Sequence, residues 1–345
     1  MTLYKEILEQ KDLFNQLYSI QKDNIVEIAN VIKEYSPKFI FLAARGTSDN
    51  AGRYANYLWG SNNKLPVALA TPSLFTFYEK PPRLEGSLVV GISQSGQSPD
   101  IVKVLEEGRR QGQLTLAITN SPDSPLADIA EYTIDICAGL ETAVAATKTY
   151  TAELMSIALL SVILKGEEEQ LMNLKNISTW IKQVLTLDDQ IARIAERYRY
   201  MNQCVVIGRG YNYATAFEWS LKLKEMTYTI AEPYSSADFR HGPIAMIERG
   251  FPIMAVAPNG DVFEDIRELL YGLKNDLGAE LLVISDHQAA LDLAQSPLTL
   301  PEGIPEWLTP LVAIIPAQLF AYYLTLVKGF DADHPRTIQK VTETH

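Results

Sequence analysis

The chain has 345 residues, of which 47% are hydrophobic and 21% charged. That is ample apolar material for two packed domains, and it excludes a disordered polypeptide. A formal net charge of −12 argues against nucleic acid or an anionic membrane as partner, since both need a basic face; a small anion held by a local cluster of donors stays compatible.

In chain order, the first six residues carry charges and no apolar signal core, and an amphipathic helix follows. Residues 39–42 (FIFL) form a short apolar run that leads to Gly46, as a buried strand would. Residues 88–92 and 114–118 are two more such runs, and 101–110 between them has helical character. Strands alternating with helices at this spacing predict a parallel sheet covered on both faces. The uncharged stretch 307–327 is long enough to cross a membrane, but Pro310, Pro316, Gln318, Tyr322 and Tyr323 favour a buried helix of a soluble domain. Cys137 and Cys204 sit in no Cys-x-x-Cys spacing, which predicts neither a metal site nor a disulfide framework and suits a cytoplasmic protein.

The second half repeats the first. Arg45 and Gly46 align with Arg209 and Gly210, and Gly96 with Gly260, both at an offset of 164 residues; Leu116 aligns with Leu282 at 166. A tandem duplication accounts for this. The organisation expected is an N-terminal helix and first domain over 1–165, a helical connector over 166–195, a second domain over 196–330 and a tail over 331–345. Ligands of open α/β sheets bind beyond the carboxyl ends of the strands. There the first copy offers Thr47, Ser48, Ser93, Gln94, Ser95 and Ser98, whereas the second has Tyr211, Asn212, Ala257, Pro258, Asn259 and Val262. Hydroxyls kept in one copy only point to one anion site per chain. Ser98, followed by Pro99, reads as a helix N-cap, and a helix start with serine donors suits a phosphate monoester. Neither a P-loop nor a dinucleotide fingerprint is present.

Several ordered motifs then resemble one family along nearly the whole chain: Arg45 to Ser48 (RGTS), Ser93 to Gly96 (SQSG), Glu141 to Lys148 (ETAVAATK), Leu221 to Glu225 (LKLKE), His241-Gly242-Pro243 and Asp333 to Arg336 (DHPR). They resemble the tandem sugar-isomerase (SIS) domain proteins: the isomerase half of glucosamine-6-phosphate synthase and its stand-alone deaminase or isomerase relatives. The resemblance implies an α/β fold of two tandem SIS domains, each a parallel sheet flanked by helices. It implies a phosphorylated hexose or hexosamine as ligand, with Thr47, Ser48, Ser93, Gln94, Ser95 and Ser98 around it and Val144 lining the site. It implies Glu225 as the base that moves a proton between C1 and C2. His241 would help open the ring, arriving from the partner of a homodimer. Lys222 would lie beside the reacting oxygens, and Lys340 would close over the carbonyl end. No metal or organic cofactor is implied.

The residues suit this chemistry by themselves. Aldose–ketose interconversion needs one carboxylate within reach of two carbons and a cation or acid near the oxygen. On a helix, Lys222 and Glu225 are three apart and share a face, although the same spacing also suits an exposed ion pair. The synthase's glutaminase domain, with its N-terminal cysteine, has no counterpart here, so glutamine-derived ammonia is not expected. Ala146, where the synthase usually carries serine, and residues 97–100 fit the stand-alone deaminases better. The expected reaction is glucosamine 6-phosphate to fructose 6-phosphate plus ammonia. The alternatives are a synthase-like aminotransferase, a fructosamine-phosphate deglycase and a non-catalytic sugar-phosphate sensor.

Overall fold

The structure, a computed structural model, describes residues 2–340. The described residues form two compact units that do not follow chain order: Asp12–Thr142, Ala146–Asn176 and residues 338–340 belong to one, and residues 2–11, Ala143–Ala145 and Ile177–Thr337 belong to the other.

The first unit is built on five parallel strands: β1 (Phe39–Ala43), β2 (Val67–Leu69), β3 (Ser87–Ile92), β4 (Leu114–Thr119) and β5 (Tyr132–Asp135). Their order is β2-β1-β3-β4-β5. The central strands β3 and β4 are buried at every residue, which is why they carry no charge and read as nearly continuous apolar runs, with Thr115 the one polar residue inside β4. Val89, pairing with Phe41, packs with Phe75, Ile101, Val104, Leu105 and Leu126 into one core. The helix Lys148–Lys165 is buried over 15 of its 18 residues, so it lies inside its domain, and buried polar side chains on it, Glu153 among them, are held there by partners within the protein.

The second unit repeats this plan with β6 (Gln203–Gly208), β7 (Ile230–Ser235), β8 (Pro252–Val256), β9 (Glu280–Ser285) and β10 (Ser296–Thr299). The order is β7-β6-β8-β9-β10, all parallel. The two sheets therefore share one topology, as a duplication requires, and the α/β fold with two parallel sheets is present. The uncharged stretch ends in the helix Thr309–Val327, with Pro310 in its first turn and Pro316 inside. Length and composition alone would let it span a membrane, but 83% of its apolar window is buried within the protein.

In each sheet the order reverses direction beside the first strand, between β1 and β3 and between β6 and β8. That reversal is the topological switch point at which open α/β sheets leave a crevice for ligand. The first-copy loops singled out in the sequence, after β1 and after β3, flank one such point.

Candidate functional site

The loop after β3 is folded by its own serines. The Gly96 amide donates to the Ser93 hydroxyl at 3.2 Å, and the Gln97 amide to the Ser95 hydroxyl at 3.3 Å. Both hydroxyls act as acceptors, so each keeps its single hydrogen for another partner. Gly96 sits at φ +62, where a Cβ would stand 2.0 Å from the Ser124 hydroxyl; the loop can close down on Ser124 only with glycine here. Ser98 is the N-cap of the helix Pro99–Arg110, as its sequence predicts, yet its side chain makes no capping bond. Its hydroxyl is not consumed by the helix. Gln94 has its carbonyl in the loop's framework, accepting the Asn120 amide at 3.1 Å.

Asp100 in the first turn of that helix is buried, and Arg45 holds it at 2.6 Å. Without the guanidinium, this carboxylate would oppose an anion at the same helix end. Ser48 behaves differently from the other serines. It is buried in the helix Gly46–Asn63 and donates to Glu153 at 2.8 Å, so its hydrogen is committed to the protein. Thr47 lies one residue earlier, half-buried at the start of the same helix.

In the second unit, Glu225 follows the helix Tyr213–Lys222 in a short π-helical segment, Leu223–Thr227. Such wide turns re-aim side chains and recur at functional sites. Tyr228 ends it at φ 55. Lys222 Nζ lies 2.6 Å from Glu225 Oε2 and 3.3 Å from Glu218 Oε1. The Glu225 contact is a close ion pair and not a well-aligned hydrogen bond. Lys222 and Glu218 side chains are 0% exposed and Glu225 is 23% exposed, so this is no solvated surface pair. Burial pulls the Lys222 ammonium down, but the Glu218 and Glu225 carboxylates outweigh it and hold the lysine above its ordinary value. It stays a cation in neutral water and cannot be the base. Glu225, the one member open to solvent, is placed to take a proton.

His241 ends the five-residue helix Ser236–Arg240 and is exposed. No contact joins it to Glu225 or Lys222 among the described interactions of this chain. Val144 is half-buried in the ETAVAATK segment. Lys340, in the first unit, sits on Glu141 at 2.6 Å. Glu141 is fully buried and also accepts the Thr147 amide at 2.9 Å, the Thr149 amide at 3.1 Å and the Thr149 hydroxyl at 2.7 Å.

This architecture is shared with known proteins. The SIS-domain family pattern matches residues 35–163 and again 198–328, which together cover both sheets. The chain belongs to the SIS-domain family. It is 30% identical over 357 aligned positions to a glutamine–fructose-6-phosphate aminotransferase (isomerizing) of Bacteroides thetaiotaomicron, covering 98% of this chain and 58% of that protein. The chain thus spans little more than half the length of the curated relatives it matches. Among solved structures, the C-terminal domain of glucosamine-fructose-6-phosphate aminotransferase from Francisella tularensis matches with a TM-score of 0.87 and 29% identity, over 97% of this chain and 98% of that one. A glucosamine-6-phosphate deaminase from Thermotoga maritima shares the fold, at a TM-score of 0.78 and 20% identity over the full length of both chains.

Within this SIS chain, three carboxylates that contact candidate site residues were not themselves among the candidates read from the sequence, although Glu141 opens the ETAVAATK motif. Glu218 lies four residues before Lys222, the spacing of one helical turn, and that signal was available. Glu153 and Glu141 anchor Ser48 and Lys340 across 105 and 199 residues of chain, and no local pattern announces such pairs.

Proposed function

We propose that this chain is a phosphosugar isomerase of the deaminating kind, converting glucosamine 6-phosphate and water to fructose 6-phosphate and ammonia. The observation that carries the proposal is the buried Glu218–Lys222–Glu225 cluster, which offers a proton-accepting carboxylate beside a permanently charged lysine. In the open-chain aldose phosphate, Glu225 takes the proton from C2, the electron pair moves toward the C1 oxygen, and the proton returns to C1. The resulting C2 imine adds water and expels ammonia. One carboxylate serves both carbons, and Lys222 steadies the negative charge that builds on oxygen.

The phosphate is assigned to the 93–98 loop and the start of the Pro99–Arg110 helix, with Ser93, Ser95 and Ser98 donating, Gln94 beside them and Thr47 near the sugar. Ser48 belongs to the same group, but must turn away from Glu153 to donate. We assign ring opening to His241, supplied by the partner in a homodimer, since its exposed position suits a role outside its own chain. Lys340 is assigned to the carbonyl end of the sugar, released from Glu141 when it engages.

A second reading has specific support. The 30% identity is to aminotransferases, so the same residues serve the reverse reaction, in which free ammonia adds to fructose 6-phosphate. A panel of glucosamine 6-phosphate, other phosphorylated amino sugars and unphosphorylated glucosamine, scored for ammonia release, tests the proposal. Release from phosphorylated hexosamine alone is expected. Hexosamine phosphate formed only from fructose 6-phosphate and ammonium would favour the second reading. Turnover of a glycated amine alone would mean a deglycase, and binding without turnover a sensor. Gly96→Ala is expected to weaken phosphosugar binding at least about tenfold by calorimetry, because the Cβ clash opens the loop. Unchanged affinity would remove the phosphate from this loop.

A further inference from the structure

The second unit has its own switch point between β6 and β8, and there the chain supplies an anion of its own. The loop after β8 corresponds to the 93–98 loop, with Gly260 in the place of Gly96, and Gly210 after β6 stands in the place of Gly46. Glu306, from the 3-10 turn Glu306–Leu308, reaches into this spot. Its Oε2 accepts the Asp261 amide at 2.8 Å, and the Val262 amide is a second donor. Its Oε1 lies 3.7 Å from where a Cβ on Gly210 would stand. Gly260, at φ +156, makes the room: a Cβ there would fall 2.3 Å from the Glu306 carboxyl carbon.

The helix Phe263–Asn275 starts at this loop, so the carboxylate occupies the kind of place where a helix start attracts negative charge. The Arg–Asp tie beside the phosphate loop recurs as well, since Arg209 holds Asp265 at 2.7 Å just as Arg45 holds Asp100. Burial pushes the Glu306 carboxyl above its ordinary value, and the two amides pull it back. By contrast, no carboxylate accepts from the 93–98 backbone among the described residues.

We propose that Glu306 is a built-in counter-anion that closes a second phosphate-binding loop left by the duplication, limiting each chain to one phosphorylated ligand. The proposal goes beyond the reaction above; its count of one ligand per chain rests on the 93–98 loop being the phosphate site of the first copy, whereas the role of Glu306 at its own loop does not. The test is the number of inorganic phosphates bound per chain, by equilibrium dialysis of the intact protein and its Glu306→Ala and Glu306→Gln variants. We expect about one for the wild type and about two for Glu306→Ala, the second weaker because it lacks serine donors. Glu306→Gln keeps the shape of the plug without its charge, and guards against a misfolded alanine variant. It too is expected to admit a second phosphate, at lower affinity. One phosphate per chain in the wild type and in every folded variant would overturn the proposal. None in the wild type but one in Glu306→Ala would instead sink the 93–98 assignment and leave the role of Glu306 standing.

Discussion

Glu225→Gln is expected to lower ammonia release from glucosamine 6-phosphate by about a thousandfold or more while leaving the substrate's dissociation constant within about threefold. The amide has the carboxylate's shape but no basic lone pair to take the C2 proton. The fold should tolerate the change. In the native cluster Lys222 faces two carboxylates, Glu218 and Glu225; in the variant it faces one, and the buried charge balances. Loss of turnover would then report on chemistry and not on packing. Binding should persist because the phosphate is assigned to the serine loop. Single-turnover kinetics together with calorimetry separate the two effects. A variant that keeps more than about a tenth of wild-type turnover would mean the base lies elsewhere.

Lys222→Met should damage the protein itself. Removing the ammonium leaves Glu218, fully buried, and Glu225 with no compensating charge. Breaking a buried pair by deleting one partner costs about 3–5 kcal/mol, which for a unit of this size lowers the thermal midpoint by roughly 10 °C. The double variant Lys222→Met with Glu218→Gln removes the most deeply buried uncompensated charge. It is expected to recover much of the stability and none of the turnover.

The pH dependence has a definite sign. Lys222 is held above its ordinary value, so its contribution is complete below the unfolded-state value near about 10.4 and is lost only as pH rises beyond that through the folded value. The stability gap between wild type and a variant with the whole cluster neutralised (Lys222→Met with Glu218→Gln and Glu225→Gln), which leaves no unpaired buried carboxylate to titrate, should therefore be flat from about pH 6 to 9. A gap that closes within that window would mean that Lys222 titrates there, and would undo the assignment of a permanent cation.

Much of this was legible in the sequence, for reasons that lie in the residues. β3 and β4 are buried on both faces, so they stand out as uncharged, nearly continuous apolar runs. Ser98-Pro99 marked a helix start because proline fixes the backbone angle that a first helical residue needs. The 164-residue offset revealed the duplication because strand ends and their glycines must recur where one topology recurs. Other features were hidden. Lys222 and Glu225 could as well have been a solvated pair, since burial depends on packing that no local pattern records. The π-helical segment that turns Glu225 has no composition of its own. Ser48 looked like its neighbours until Glu153 was found holding its hydrogen. Glu306 passed unremarked because a carboxylate in a loop is ordinary until its distance to a glycine 46 residues earlier is known.

The central claim is that this SIS chain carries out proton transfer on a phosphorylated amino sugar through Glu225. The most direct measurement is the parallel appearance of ammonia and fructose 6-phosphate when the purified protein meets glucosamine 6-phosphate, with Glu225→Gln beside it. Equal amounts of the two products from the wild type, and neither from the variant, are expected. Failure of the wild type to release ammonia, or equal release by the variant, would contradict the account.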